Sequence, residues 1–224
     1  MRSFNPNIET LLHWLMPVVV LLAIILTAVR LLLTPAFVNI EYRTPNFPPD
    51  PYGFTMEERL KWSQIALNYL LNDEDISFLG DLTFEDGSPL YNERELRHMV
   101  DVKDLTQIFL WIWRGLLLML VLLTLWVWRV DWQPAYMRML HNGGRLTVIL
   151  IAVLLVGIAL SFNAVFTGFH RIFFEGDTWL FLFSDTLIRL FPIRFWRDAF
   201  IVIGVFALGS GGLLWWLFGK RLAK

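Results

Sequence analysis

The sequence predicts an all-α membrane protein, a four-helix transmembrane bundle with a small extracellular cap between the first and second spans. Three observations support this prediction. Of the 224 residues, 56 % are apolar and only 17 % are charged, whereas a soluble domain carries about a quarter charged residues. The apolar residues are gathered into four long blocks, and a long hydrophilic segment separates the first block from the second.

Each apolar block is long enough to cross a bilayer, which requires roughly 20 predominantly apolar residues. The predicted spans are residues 11–33, 105–128, 146–169 and 195–218. The first block is longer than the apolar region of a secretory signal, which has about 7–15 residues, and it lacks a clear cleavage site. We therefore expect the first span to be a retained anchor helix. A Gly-rich stretch in the fourth span, residues 209–212, is typical of closely packed helices.

The distribution of Lys and Arg predicts the orientation, because these residues are enriched in short cytoplasmic loops. With four spans, the loop 129–145, the tail 219–224 and the N-terminus all lie on one side, which is predicted to be the cytoplasm. The cap, residues 34–104, holds fourteen carboxylates against six basic residues and is predicted to lie outside, as is the aromatic-rich loop 170–194. The seven basic residues on the predicted inner side are Arg2, Arg129, Arg138, Arg145, Lys220, Arg221 and Lys224.

Local patterns within the cap predict a mixed α/β or mostly irregular unit. Alternation over residues 37–43 predicts a strand, which a Pro-rich turn follows. Thr55 and Glu58 have the spacing of a capping box and predict a helix that ends near Leu71. Asn92 predicts a second helix start, and we expect this second helix to continue without a break into the second span.

Composition excludes several classes of function. The sequence contains no Cys, which excludes disulfides, thiolate metal sites and a Cys nucleophile. The net charge of −1 gives no basic excess for binding nucleic acid. No Ser-nucleophile elbow, zinc-protease motif or phosphate-binding loop is present, and the spans offer almost no polar path for a transporter. We expect no cofactor and no metal.

The predicted topology divides the four histidines into two pairs. His13 and His141 fall on the inner side, whereas His98 and His170 fall on the outer side, near the ends of the second and third spans. The outer pair can therefore meet at the level of the lipid head groups.

Histidine is the usual general acid–base near neutral pH, since its unperturbed pKa is about 6.5. On a helix, Glu95 and Asp101 lie three residues on either side of His98, so either carboxylate is a candidate to fix the tautomer of its ring. The alternative interpretation is that both outer histidines are structural residues at the membrane interface.

Aromatic residues are dense near the predicted outer interface. An interfacial aromatic belt explains most of them, but the run from Phe169 to Phe183 is also dense enough to line a pocket for an acyl chain. Arg114, inside the second span, either snorkels outward or holds a phosphate or a carboxylate such as that of Asp185. The candidate pocket residues are Trp111, Phe169, Phe173, Phe174, Trp179 and Phe181.

Two segments of the sequence resemble a known family. Residues 91–103 read YNERELRHMVDVK, and residues 169–181 read FHRIFFEGDTWLF and continue through 185–192 to 195–198. These segments resemble the lipoprotein intramolecular transacylase (Lit) family of bacterial integral membrane proteins. The resemblance extends to the chain length, the four spans and the large first outer loop.

The resemblance implies an acyltransferase that moves the sn-2 acyl chain of a diacylglyceryl-cysteine lipoprotein to the α-amine of the same cysteine. It implies that His98 and His170 are the two catalytic residues, in a monomer that lies among the lipids of the bacterial cytoplasmic membrane. A non-catalytic polytopic membrane protein or partner subunit, and an outer-leaflet lipid hydrolase, are the alternatives. The residues expected to support the histidines are Asn92, Glu93, Glu95, Arg97, Asp101, Asp185 and Arg189.

Overall fold

A computed structural model of the chain describes residues 6–130 and 132–222, and this part of the chain is almost entirely helical. Its helices are α1 (Pro6–Leu32), α2 (Pro35–Glu41), α3 (Met56–Leu71), α4 (Ser77–Gly80), α5 (Glu93–Val127), α6 (Gln133–Phe173), α7 (Thr186–Leu190) and α8 (Ile193–Leu222). Four of them, α1, α5, α6 and α8, are long and apolar enough to cross a membrane, which confirms the predicted fold class. Arg2 and Lys224, which contributed to the predicted orientation, lie outside the described residues.

The chain divides into two compact units. The span unit comprises the described residues of Met1–Val29, Leu110–Ala159 and Ile201–Lys224. The cap unit comprises Arg30–Phe109 and Leu160–Phe200. The cap unit thus includes α2, α3, α4 and α7 together with the adjoining turns of the long helices.

Small residues bring the helices of the span unit into close contact. A Cβ atom at Gly144 of α6 would lie 2.5 Å from the carbonyl oxygen of Gly211 in α8 and 2.7 Å from the backbone nitrogen of Trp215. A Cβ atom at Gly211 would lie 2.9 Å from the Cβ atom of Thr147. The close approach predicted from the Gly-rich stretch of the fourth span is therefore confirmed at Gly211, where backbones can approach only without a side chain.

The predicted strand at residues 37–43 is wrong, because this segment forms helix α2. The Thr34 hydroxyl accepts a hydrogen bond from the backbone nitrogen of Phe37, and Pro35 occupies the start of the helix. Val38 and Tyr42, four residues apart, are both buried, so the apolar positions follow the helical period. The cap unit is accordingly helical with irregular connections, and its described β pairing is a single bridge between Thr83 and Pro89.

The two predicted helix starts within the cap are confirmed. Thr55 and Glu58 form a capping box, and α3 ends at Leu71 as predicted. At the start of α5, the backbone nitrogen of Glu95 donates to Asn92 Oδ1 at 3.1 Å, and the backbone nitrogen of Asn92 donates to Glu95 Oε2 at 2.8 Å. Helix α5 then continues without interruption to Val127.

Helix α6, by contrast, contains a break that the sequence did not indicate. Ser161 has φ −161° and ψ 92°, which is an extended backbone between two helical segments. The segment that follows Ser161 carries His170 in its last turn.

Candidate active site

His98 and His170, the two histidines predicted to lie outside, come together in the cap unit. His98 lies in the second turn of α5, and His170 lies in the last turn of α6. Their ring centroids are 6.2 Å apart, and their ring planes differ by 24°. His98 is only 8 % exposed and His170 only 9 %. A hydrogen bond spans about 3 Å, so both rings are within reach of one reacting centre placed between them.

Aromatic rings enclose both imidazoles. Phe174 contacts both histidines, with centroid distances of 4.9 Å to His98 and 5.5 Å to His170. Phe181 packs edge-on against His98 at 5.3 Å, and Trp179 lies 5.0 Å from His170. Trp179 and Phe181 belong to one segment, residues 174–185, which we call the strap. The strap therefore covers both histidines with apolar surface.

His170 is held by a hydrogen bond to its own helix. Its Nδ1 atom lies 2.8 Å from the carbonyl oxygen of Phe166, and the Phe166 ring lies 4.1 Å from the imidazole. A carbonyl oxygen only accepts hydrogen bonds, so Nδ1 carries the hydrogen in this contact. In a neutral ring, Nε2 is then the nitrogen with a free lone pair.

His98 has no such partner at its Nδ1 atom. This nitrogen is buried, and no hydrogen-bonding group of the described residues reaches it. Buried polar atoms in folded proteins are almost always paired. An unpaired buried nitrogen in a ring beside a second imidazole therefore marks a place where a bound molecule can supply the missing hydrogen bond.

Neither carboxylate predicted to orient His98 reaches that nitrogen. Both oxygens of Glu95 accept from backbone, Oε2 from Asn92 and Oε1 from the nitrogen of Leu187 at 2.7 Å. Asp101 accepts a hydrogen bond of 3.3 Å from the hydroxyl of Thr178, a strap residue. The two carboxylates therefore stabilise the segments around His98 and form no hydrogen bond with its Nδ1 atom.

Asp185 ties the end of the strap to the start of α5. Its carboxylate forms an ion pair of 2.9 Å with Arg94 and accepts a hydrogen bond of 3.2 Å from the side-chain amide of Asn92. The same carboxylate accepts from the backbone nitrogen of Leu182 at 2.8 Å. The strap is thus anchored strongly at Asp185 and more weakly at Thr178.

Three of the predicted supporting residues lie away from the histidines. Glu93 and Arg97 form an ion pair on the exposed face of α5, where the Glu93 side chain is 91 % exposed. Arg189 forms a buried ion pair of 2.9 Å with Asp50. Burial opposes ionisation of Asp50, but hydrogen bonds from Arg189 and Phe54 outweigh it and keep the pKa of Asp50 below its usual value. These contacts stabilise the cap unit.

The predicted aromatic residues divide in a similar way. Phe169 contacts His170 at a centroid distance of 5.6 Å, and Phe173 packs against Phe169 at 4.8 Å with the two ring planes inclined by 47°. Trp111 belongs to the span unit, is 68 % exposed and lies beneath the guanidinium group of Arg114 at 5.0 Å. Arg114 therefore lies over an aromatic ring of its own helix, whereas Asp185 pairs with Arg94.

Sequence reasoning missed two residues of the site. Phe166 supplies the carbonyl and the ring that hold His170, and Arg94 pairs with Asp185 and lies 5.8 Å from the Phe181 ring. Each lies four residues before one of the histidines. The helical i, i+4 rule applied to both histidines identifies them.

The described residues contain no group of three or more His, Asp or Glu side chains arranged to hold a metal ion. The site brings two imidazoles together in an apolar enclosure, and the nearby carboxylates accept structural hydrogen bonds. Two adjacent imidazoles can accept a proton from a bound molecule and donate one to it.

Comparison with known proteins gives a consistent match over most of the chain. The family model described as "Lipoprotein intramolecular transacylase Lit" matches residues 14–196. An uncharacterised protein of Aquifex aeolicus (strain VF5) is 28 % identical over 197 residues, which cover 87 % of this chain and 88 % of the relative.

Solved structures show the same fold. The chain is similar to the membrane-integral lipoprotein intramolecular transacylase Lit from Bacillus cereus, with a TM-score of 0.79, 20 % identity and coverage of 98 % of this chain and 97 % of the other. A variant of that protein with a histidine replaced by arginine matches with a TM-score of 0.69 and 21 % identity, covering 98 % and 96 % of the two chains.

Proposed function

Because the chain belongs to the lipoprotein intramolecular transacylase family, we propose that His98 and His170 move the sn-2 acyl chain of a diacylglyceryl-cysteine lipoprotein to its N-terminal amine. The protein is a multi-pass membrane acyltransferase that acts on lipoproteins. The observation that carries the two-histidine proposal is the pair of buried imidazoles with centroids 6.2 Å apart. The product is an N-acylated lipoprotein that keeps one acyl chain on its glyceryl group.

The substrate supplies its own nucleophile in this reaction. The α-amine of a chain terminus has a pKa of about 7.7–8.0, which is within reach of an imidazole base. The amine nitrogen attacks the ester carbonyl carbon, a C–N bond forms, and the C–O bond to the sn-2 oxygen breaks. The proton lost by the amine ends on the released glyceryl hydroxyl, so both imidazoles finish in their starting states.

The hydrogen bonds of the site support a different role for each histidine. His170 donates from Nδ1 to the Phe166 carbonyl, so its free Nε2 takes the amine proton and later returns it to the leaving oxygen. The Nδ1 atom of His98 has no partner among the described residues, so it is free to donate to the ester oxygens as negative charge develops there. In this scheme His170 transfers the proton and His98 stabilises the developing negative charge.

The enclosure by aromatic rings favours transfer over hydrolysis. Water excluded from the site cannot compete with the amine for the ester. Holding amine and ester in an attacking geometry is worth roughly 7–11 kcal/mol in well-oriented intramolecular reactions. Since both histidines are more than nine-tenths buried, the strap moves aside for substrate to enter.

We place the site at the outer face of the bacterial cytoplasmic membrane, with both termini and the 129–145 segment in the cytoplasm, in a monomer. The excess of Lys and Arg on the inner side supports this orientation. Because the sequence contains no Cys, single cysteines at Glu93 and Arg138 can test it. A membrane-impermeant thiol reagent added to intact cells should label Glu93→Cys and leave Arg138→Cys unlabelled, and the reverse pattern would invert the topology.

The decisive test is mass spectrometry of N-terminal lipopeptides from cells that make diacylated lipoproteins and express this protein. We expect an acyl chain on nitrogen with the wild-type chain and with the control His13→Ala, and its loss with His98→Ala and His170→Ala. Unchanged lipopeptides in the presence of well-expressed wild-type protein would contradict the proposal. Loss of an acyl chain without N-acylation would identify a lipid hydrolase instead.

A further inference from the structure

The break in α6 begins a new helix. The extended backbone of Ser161 is the conformation of an N-cap residue. Its hydroxyl oxygen accepts a hydrogen bond of 3.3 Å from the backbone nitrogen of Ala164, three residues later. The first backbone N–H groups of a helix have no acceptor within the helix. A Ser N-cap supplies one, because its hydroxyl oxygen accepts a hydrogen bond from the backbone nitrogen three residues later. Residues 162–173 are therefore a helix that starts at Ser161.

An aromatic column runs from this start to the active site. Phe162, Phe166 and His170 are spaced four residues apart, so they lie on one face of the new helix. The Phe162 and Phe166 rings are 5.6 Å apart, and the Phe166 and His170 rings are 4.1 Å apart. The Phe166 carbonyl also accepts the hydrogen bond from His170 Nδ1. The orientation of the His170 ring therefore depends on which way this face of the helix points.

The break sets where the helix that carries this face begins. Ser161 departs from helical geometry in both backbone dihedrals, with φ −161° and ψ 92° against helical values of about −63° and −42°, so the helical path is interrupted here before the new helix begins. The column then packs against α8, with Phe162 5.8 Å from Phe200 and Phe166 6.4 Å from Trp196. The position of His170 therefore follows from where the second helix begins.

We infer that Ser161 is a positioning residue for transacylation, because its hydroxyl caps the helix that directs His170 toward His98. This inference rests on the proposed function of the two histidines. Ser161 touches neither histidine, so it acts through the Phe162–Phe166–His170 column.

The test compares three variants of the full chain in detergent or lipid. Ser161→Ala removes the cap, Ser161→Asn restores an equally strong cap, and Asn163→Ala is a control for loss of a polar side chain in the same turn. For Ser161→Ala we expect about a fivefold loss of turnover at saturating lipopeptide, with little change in the half-saturating concentration. Ser161→Asn and Asn163→Ala should stay within twofold of the wild-type chain.

A spectroscopic readout separates positioning from general damage. The chain has four histidines, so ¹⁵N resonances of the rings can be assigned with single His→Ala variants. The His170 resonances should report a hydrogen on Nδ1 in the wild-type chain, Ser161→Asn and Asn163→Ala, and a mixture of tautomers in Ser161→Ala. Turnover and tautomer both unchanged in Ser161→Ala would overturn the inference.

Two further outcomes are distinguishable. If Ser161→Ala does not accumulate, Ser161→Val replaces it, because Val favours an extended backbone but has no hydroxyl and is a poor N-cap residue, and an unchanged His170 tautomer in that variant would overturn the inference. If His170→Ala retains full N-acylation, the proposed function fails, whereas the tautomer measurement still decides whether Ser161 directs His170.

Discussion

The Glu95→Ala substitution tests how the cap unit holds His98 in place. Glu95 is 1 % exposed, and its two oxygens accept hydrogen bonds from the backbone nitrogens of Asn92 and Leu187. The Leu187 nitrogen is buried, so losing its partner costs about 1–3 kcal/mol. The Asn92 nitrogen is partly accessible to water, and its loss together with the capping box costs about 1 kcal/mol.

These contributions sum to roughly 2–4 kcal/mol. For a chain of this length each kcal/mol lowers Tm by about 2–4 °C, so we expect Glu95→Ala to lower Tm by roughly 5–15 °C in detergent. Glu95→Gln keeps one acceptor oxygen and should lose about half as much. N-acylation should fall in both variants at temperatures below their Tm. The reason is that residue 95 no longer fully holds α7 against the start of α5, the helix that carries His98.

Glu93→Ala is the matched control, since it removes the same side chain two positions earlier on the same helix. The Glu93–Arg97 pair is exposed and 3.5 Å long, and such pairs contribute about 0–1 kcal/mol. The reasoning is refuted if Glu95→Ala and Glu93→Ala lower Tm equally. It is also refuted if Glu95→Gln is as stable as the wild-type chain.

Four other substitutions have expected outcomes that differ from one another. Gly144→Ala should lower Tm by several degrees in thermal unfolding, because its Cβ would meet backbone atoms at 2.5 and 2.7 Å, whereas Gly209→Ala should be tolerated, since nothing lies within 4 Å of its Cβ. Tyr91→Phe should leave Tm unchanged or slightly higher, because the buried Tyr91 hydroxyl has no partner among the described residues, and a large drop would reveal a buried water or another partner. Burial, with the charge of Asp198, raises the pKa of Glu41 from 4.5 to about 7, so the folded state keeps a proton that the unfolded chain releases. Glu41 therefore contributes stability that is lost as pH rises from about 4.5 to about 7, and the Tm of the wild-type chain should fall relative to that of Glu41→Gln over this range.

Features that depend on neighbouring residues in the chain were predictable. The four apolar blocks give the four long helices because a bilayer imposes a minimum length on each span. The capping boxes at Thr55 and Asn92 were predictable because each satisfies helix-end donors within four residues. The approach of His98 and His170 followed only as a possibility, from their common side and similar depth.

Secondary structure could not be predicted in this way for a short segment whose apolar spacing fits both a strand and a helix. Residues 37–43 alternate like a strand, but Val38 and Tyr42 also have helical spacing, and burial of both decides for the helix. The break at Ser161 gave no signal, because a Ser within an apolar block is equally compatible with an unbroken span.

The sequence by itself therefore established the membrane class, the number of spans and the start of the helix that carries His98, and it predicted which two histidines share one side of the membrane. The length of an apolar block, the capping residues of a helix and the distribution of charge are properties of the sequence, so they can be evaluated without knowing the tertiary contacts. The tertiary structure alone decided that the imidazoles lie 6.2 Å apart and that Glu95 holds the Leu187 backbone rather than the His98 ring. It also decided that Trp179 contacts His170 and that Phe181 packs against His98. These contacts join parts of the chain that are distant in sequence. They form only in the folded chain, where buried polar atoms are hydrogen-bonded to one another.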